Sequence, residues 1–518
     1  MKKNILLIIL FLIFQLCQVL KAYKILVYSQ TLTRSHVILN AKVAEALASD
    51  GHNVTILEVE YMEPLTEFEG SSAKGVKKQA TAWSLITGYK NDEDFQNTIN
   101  EVCEHFLDTQ TELIEQLKNE KFDLFIGEQI NFCGSALSYL FGIPIHILLV
   151  SCPIQEHVSS LVGMPFPASY VPSIYGVPMS DKMSINQRFS NLVATFVHER
   201  AFYYGIEELN ELFRRRFGSN YPTIQNVVKE TPLVFVNVDE FVDFPRPINP
   251  NVVYIGGLGF NKTTTKTTNL KGPYLTEINK GRGTIYFSLG SLLNTNTLPN
   301  NFIKNLFASF GSLKEWHFIV KISEGDEHSL EMSKNYSNVF LTSWAPQRAI
   351  LEHPNTKLFI SHGGYNSLME AALSAIPIIS FGFFAEQRRN SLVPERNGWG
   401  KSFNKALLLN GKEEFVGGIQ TILNDPKYAE EAKRLKKPFS AREKLLKNIH
   451  FLEQNGGYLP ELLSEARNLS VFQLYNLDIL IILGILIFGF LIIFVLLIKY
   501  FLNLFSAFFR FKSKDKRE

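Results

Sequence analysis

KLFISHGGYNSLMEAAL, residues 357–373, changes its hydrophobic period halfway along. Leu358, Phe359 and Ile360 form a short apolar run of the kind that makes a buried strand, whereas Leu368, Met369, Ala371 and Ala372 recur at helical spacing. Gly363 and Gly364 lie between the two and let the backbone approach a ligand closely. In open α/β sheets, ligands bind beyond the carboxyl ends of the strands, and the free N–H groups of the next helix favour an anion. His362 stands at that point with a hydrogen-bond donor, and Glu370 follows farther along the helix, where a carboxylate suits hydroxyl groups. The order along the helix is therefore anion first, hydroxyls second.

A Gly-Gly pair after a strand is by itself only a tight turn, so the fold rests on repetition of the pattern. GTIYFSLGS (283–291), HFIVKIS (317–323), VFLTSWAP (339–346) and IPIISFGFF (376–384) are further strand-like runs around it. Upstream, YKILVYSQ, the helical spacing of Val37, Ala41, Ala44 and Ala48, the stop at Gly51 and then NVTILEV compose a strand–helix–strand unit. FDLFIGEQ, NFCGSALSYLFG and IPIHILLV repeat it. Residues 153–220 break the rhythm with Pro, Ser and Tyr, then a long amphipathic stretch, and read as insertions that shape a pocket. FPRPINPNVVYIGGLG (244–259) reads as a linker. The fold class is α/β: two doubly wound, Rossmann-like domains facing a cleft.

Both chain ends carry addresses. Residues 1–22 have Lys2 and Lys3, an apolar run and a small residue at Ala22, the form of a cleaved signal peptide. Residues 479–498 are uncharged and apolar, enough for a helix to cross a hydrocarbon core of roughly 30 Å. The basic tail at 499–518 places that end in the cytosol and the bulk on the lumenal side. Lys514 and Lys516 read equally as an endoplasmic-reticulum retrieval signal and as a stop-transfer flank. With a net charge of +2 there is no nucleic-acid surface. Of four cysteines, Cys17 leaves with the signal peptide, and Cys103, Cys133 and Cys152 leave room for one bridge. No zinc-type spacing occurs, so no metal is expected. Sequons stand at Asn53, Asn261, Asn335 and Asn468; Asn53 falls in a strand, and the other three are the candidates for N-glycosylation.

Residues 343–390, SWAPQRAILEHPNTKLFISHGGYNSLMEAALSAIPIISFGFFAEQRRN, resemble the donor-binding signature of the UDP-glycosyltransferases. The resemblance extends to FSLGS (287–291), the two-domain layout and both chain ends. It implies a GT-B fold, with an acceptor domain at 23–245, a UDP-sugar domain at 246–455, a juxtamembrane segment at 456–478 and the membrane helix at 479–498. It implies that Trp344 stacks on uracil beside Gln347, and that Ser291, His362, Gly364, Asn366 and Ser367 surround the diphosphate. Glu370 then holds the ribose hydroxyls, while Glu386 and Gln387 contact the transferred sugar. The family usually has aspartate at the position of Glu386, which puts the sugar in question; Arg388 and Arg389 beside it read as a solvated loop.

Sugar transfer to an alcohol requires removal of the acceptor proton, for which a histidine near neutral pKa is suited. His36, after the first strand, matches the family's catalytic histidine, and Glu128 stands where its partner aspartate is expected; Asp123 reads as a turn residue. The expected activity is inverting transfer of glucose or glucuronic acid from UDP to a small lipophilic acceptor, without metal or other cofactor. The Phe- and Tyr-rich insertions would line the acceptor pocket, and the membrane segment could support homo- or hetero-oligomers. The rival reading is a membrane-anchored homologue that binds UDP-sugar or a lipophile with little or no turnover. It is sustained by the two Asp-to-Glu departures at Glu128 and Glu386.

Overall fold

The computed structural model describes residues 22–31, 34–60, 78–81, 92–260, 270–291, 293–436 and 441–514. The signal peptide up to residue 21, the sequon at Asn261 and Lys516 lie outside the described residues. The chain divides into a large unit ending at Leu463 and a second beginning at Ser464.

The large unit holds two parallel sheets. The first contains β1 (Lys24–Gln30), β2 (Asn53–Glu60), β3 (Lys78–Thr81), β4 (Leu124–Glu128), β5 (Ile145–Val150), β6 (Val234–Val236) and β7 (Val252–Tyr254), in the order β3-β2-β1-β4-β5-β6-β7. The second contains β8 (Thr284–Ser288), β9 (His317–Lys321), β10 (Val339–Thr342), β11 (Thr356–Ser361), β12 (Ile378–Phe381) and β13 (Gly400–Phe403), in the order β10-β9-β8-β11-β12-β13. Each order reverses beside its first strand, between β1 and β4 and between β8 and β11. Those are the switch points at which doubly wound sheets open a crevice for ligands. The strands are buried on both faces, as continuous apolar runs such as Ile25, Leu26, Val27 and Tyr28 require.

The helices used below are α1 (Arg34–Ala48), α2 (Asp92–Thr109), α3 (Cys133–Leu140), α4 (Ile185–Phe217), α5 (Tyr365–Ser374), α6 (Ala441–Gln454) and α7 (Leu477–Lys514). Cys103 of α2 is disulfide-bonded to Cys133 at the start of α3, while Cys152 is free and buried. α4 is the long amphipathic stretch, opened by a reciprocal capping box between Ser184 and Gln187.

Two corrections to the expected division follow. Val252–Tyr254, inside the presumed linker, pairs in parallel with β6 and completes the first sheet, so the boundary after 245 falls within that sheet. The prolines precede the strand rather than interrupt it, and its three residues are too few to show a period. The chain also returns after the second sheet: Ala441, Leu445, Leu446, Ile449 and Leu452 of α6 share one buried cluster with Tyr23, Ile25, Val27, Leu39 and Val43. Residues 441–454 therefore pack on the first sheet, not with the second.

In the second unit, α7 includes an apolar stretch, Leu477–Leu504, long enough to cross a membrane, and is the one such helix among the described residues. The sequence segment 479–498 lies wholly inside it, and the chain is membrane-anchored by this single helix.

Candidate active site

His36 occupies the first turn of α1, beside the switch point of the first sheet. Glu128 is the last residue of β4, and only 1% of it is exposed. His36 Nδ1 contacts Glu128 Oε1, and Asn40 Nδ2, one turn along α1, donates to Glu128 Oε2 at 3.1 Å. The longer side chain of Glu128 therefore does reach the imidazole. Ser151 Oγ, directly after β5, lies 3.1 Å from the same Nδ1. Burial lowers the proton affinity of His36, but the charge and hydrogen bond of Glu128, with the Glu386 charge beyond, outweigh it and hold the pKa above the ordinary histidine value. Nδ1 is thus committed to the carboxylate, which leaves Nε2 as the atom that can accept a proton. Asp123 is at the other end of the sheet, accepting from Lys24 N at 2.8 Å, as a turn residue would.

The second half of the site is at the other switch point. β8 runs into Gly290 and Ser291, and β11 into His362, Gly363 and Gly364. Gly364 is the N-cap of α5 and has no side chain to satisfy the first N–H groups of the helix. The His362 ring is held between two glycines: a Cβ on Gly364 would stand 2.4 Å from His362 Nε2, and one on Gly290, at φ +81°, would stand 2.7 Å from the ring. Burial, helped by the Lys321 charge, pushes the His362 pKa down to about 4. The ring is therefore neutral at physiological pH, and what it can offer a ligand is a hydrogen bond rather than a charge. Ser291 is exposed at the tip of its turn.

Gln347 Nε2 donates to Glu370 Oε2 at 2.6 Å and lies 3.3 Å from Ser367 Oγ. Burial raises the Glu370 pKa, against the Gln347 hydrogen bond and the charges of Lys42 and Arg348. Lys42 comes from α1 and was not singled out by sequence; no local signal links it to a helix more than three hundred residues away. The Trp344 side chain is 56% exposed, while its carbonyl accepts from Thr342 Oγ1 at 2.6 Å and also from the Tyr274 hydroxyl. Asn366 Oδ1 accepts from Asn237 Nδ2 at 2.9 Å.

Glu386 precedes the short helix Gln387–Asn390. Its pKa is raised by burial, opposed by the His36 charge. Gln387 is buried, and its Oε1 has no hydrogen-bond partner among the described residues. The expectation that Arg388 and Arg389 form a solvated loop is corrected. Arg389 is 2% exposed, bonds Asp243 Oδ1 at 2.5 Å and lies over the Phe244 ring at 4.8 Å. Arg388 donates to the Tyr175 carbonyl at 2.8 Å. Both arginines bind segments that precede the second sheet, which buries Arg389 and partly covers Arg388.

The insertions divide their aromatic residues. Phe166 and Phe202 are buried, and His157 stacks on Phe202 with ring centroids 3.9 Å apart, but Phe189 and Phe196 of α4 face outward. Several of the remaining histidines have polar partners that sequence reading missed, although both ring nitrogens of the buried His157 have none among the described residues. His146 lies between Ser135 and Thr231, and His317 pairs with Glu277 at 2.8 Å. Asp50, His52 and His450 bring their polar atoms within 4.8 Å of one another. The donor set does not suit a metal. His52 Nδ1 accepts from Tyr23 N at 3.1 Å, so the neutral ring carries its proton on Nε2, the atom that faces Asp50.

Two switch points, one with a histidine–carboxylate pair and the other with an uncapped helix start, define a glycosyltransferase-type α/β fold. The family described as UDP-glucoronosyl and UDP-glucosyl transferase matches residues 23–515, and the chain belongs to it as a UDP-glycosyltransferase. The protein of Caenorhabditis elegans that bears the UDP-glucuronosyltransferase name ugt-47 is 35% identical over 489 residues, covering 89% of each chain. UDP-glucosyltransferase 2 of Dactylopius coccus is 30% identical, covering 79% of each. Among solved structures, a UDP-glucosyltransferase from Polygonum tinctorium capable of glucosylating indoxyl superposes with a TM-score of 0.59 at 13% identity, over 83% of this chain and 99% of that one. LpCGTa in complex with UDP gives 0.53 at 17% identity, over 84% and 99%. These two confirm the GT-B architecture.

Proposed function

We propose that the protein transfers glucose from UDP-glucose to a small lipophilic alcohol or phenol, with inversion, and that His36 is the general base. The contact between His36 Nδ1 and Glu128 is the observation that carries this reading. His36 Nε2 takes the acceptor's proton as the acceptor oxygen forms its bond to C1. The bond from C1 to the UDP oxygen breaks, and UDP leaves with the electron pair toward the start of α5. Glu128 stabilises the imidazolium that forms. Gly364, Asn366, Ser367, His362 and Ser291 surround the diphosphate, Glu370 with Gln347 takes the ribose, and Trp344 stacks on uracil. The unpartnered Oε1 of Gln387 and the carboxyl of Glu386 are acceptors for hydroxyls of the sugar. No metal is required, because the uncapped helix start and the neutral His362 supply donors for the leaving charge.

The choice of glucose over glucuronic acid is favoured by Glu386, whose charge would repel a sugar carboxylate, and by the pairing of Arg389 with Asp243. Arg388 donates to the neutral Tyr175 carbonyl, and Arg388 Nε and Arg389 Nη2 have no hydrogen-bond partner among the described residues.

The domain division consistent with the packing assigns 23–260 together with 441–463 to the acceptor lobe and 270–436 to the donor lobe. The catalytic bulk is lumenal in the endoplasmic reticulum, behind a cleaved signal peptide, with exposed Asn335 and Asn468 as glycosylation sites. The test is UDP release by the membrane-bound protein given UDP-glucose or UDP-glucuronate and a mixed panel of phenols and alcohols, with His36→Ala alongside. Acceptor-dependent release with UDP-glucose, lost in His36→Ala, is expected. Release only with UDP-glucuronate would overturn the sugar assignment. Binding of UDP-sugar without release across a widened panel would favour the anchored binding protein.

A further inference from the structure

Asn237 follows β6, is 3% exposed, and belongs to none of the motifs that mark the donor site. Its backbone N–H donates to Val150 O at 2.7 Å, which fixes it against the end of β5. Its side-chain Nδ2 donates twice, to the Ser151 carbonyl at 3.1 Å and to Asn366 Oδ1 at 2.9 Å. The first bond settles the second. A backbone carbonyl can only accept, so the atom that Asn237 turns to Ser151 is its NH2 group. The Asn366 atom facing that same NH2 must be an acceptor, hence its oxygen.

An amide whose oxygen is engaged on one side presents its NH2 on the other. Asn366 is in the first turn of α5, next to Gly364, where the helix N–H groups have no side-chain cap. We propose that Asn237 is a positioning residue for the donor: by holding Asn366 Oδ1, it directs the Asn366 NH2 group toward the diphosphate. A second contact of the same kind, Asp239 N donating to the Tyr365 hydroxyl at 3.0 Å, fixes the neighbouring residue of that turn. Ser151 ties the arrangement to the base, because its Oγ lies 3.1 Å from His36 Nδ1 while its carbonyl holds Asn237. Three hydrogen-bonded residues, Ser151, Asn237 and Asn366, thus join the imidazole to the start of the donor helix.

This rests on the reading of Asn366 as a diphosphate ligand, and the experiment separates the two. UDP and uridine affinities are measured by calorimetry on the full-length protein in nanodiscs, for wild type, Asn366→Ala, Asn237→Asp, Asn237→Ser and the double variant Asn237→Asp/Asn366→Ala. In Asn237→Asp the carboxylate can only accept, so Asn366 turns its NH2 inward and presents its oxygen to the diphosphate. UDP should bind about 10- to 100-fold more weakly, the range of one lost charge-assisted hydrogen bond, with uridine unchanged. Asn237→Ser should lose less. The double variant should match Asn366→Ala alone, since no amide remains to be misdirected.

If Asn366→Ala leaves UDP affinity intact, the diphosphate reading falls and the inference with it. If Asn366→Ala weakens UDP but Asn237→Asp does not, or the two losses add, the positioning role is wrong. Equal loss of uridine and UDP in both Asn237 variants would show that Asn237 holds the fold rather than the donor.

Discussion

Replacing Glu128 with Gln tests the chemistry most directly, because it keeps the size of the side chain and removes its charge. In the native site His36 Nδ1 contacts a carboxylate that is almost wholly buried. With charge centres about 4 Å apart and an effective dielectric of about 20, a fully formed imidazolium gains about 4 kcal/mol from such a partner. A transition state with half the proton transferred gains about half of that. The kcat of Glu128→Gln should therefore fall between about 30-fold and 1,000-fold. The pH profile moves as well. A base acts when deprotonated, so activity climbs as pH rises through its pKa, and in wild type that climb lies above the ordinary histidine value. In Glu128→Gln, burial is left opposed only by the more distant Glu386, and the climb should move to lower pH while the plateau drops. Stability has its own sign. Since the folded pKa of His36 is raised, its contribution is fully present below the unfolded histidine pKa and is lost as pH rises through the folded value. The stability gap between wild type and variant should thus narrow in alkaline buffer. Coupled UDP-release assays across pH, with thermal melts on the same samples, provide both readouts. An unchanged plateau, or a limb that stays in place, would refute the pairing as the source of the base.

Gly364→Ala should weaken UDP binding without unfolding the protein: the backbone there suits alanine, but the new methyl would meet His362 Nε2 at 2.4 Å, and overpacking of that kind costs about 1–3 kcal/mol, or roughly 5- to 150-fold in Kd. Arg389→Met leaves Asp243 buried without its cation and should cost about 3–5 kcal/mol in denaturant unfolding; adding Asp243→Asn should recover part of it. Converting Cys103 and Cys133 to Ala opens a loop spanning 30 residues and should lower stability by about 3–4 kcal/mol, read as a fall in the denaturant midpoint.

The alternation of apolar runs and helical spacing made the two sheets legible, because parallel strands buried on both faces cannot hide their composition. Of the proposed donor residues, His362, Gly364, Asn366, Ser367 and Glu370 could be picked out together because they follow β11 along one turn and one helix, whereas Ser291, Trp344, Gln347, Glu386 and Gln387 lie on other elements and were indicated only by the family resemblance. What the sequence concealed is what depends on distance in space. Whether Glu128 could reach His36 is a matter of how α1 sits over β4, which no local pattern encodes. Arg389 looks like a surface residue by type and is buried because Asp243 and Phe244 surround it. An odd set of cysteines could not say which two meet. Asn237 is one polar residue after a three-residue strand, and its meaning lies in a contact 129 positions away.

The return of α6 to the first sheet imposes a schedule on synthesis. The face formed by Tyr23, Ile25, Val27 and Leu39 shares its buried cluster with Ala441, Leu445 and Ile449, so it stays incomplete until those residues are made. At ordinary elongation rates, the roughly 190 residues between β7 and α6 take about 10–40 s to appear. Throughout that interval a nearly finished parallel sheet presents an uncovered apolar face. Nascent chains stalled just short of α6 should therefore hold chaperones that are released once the chain has been extended past Leu459.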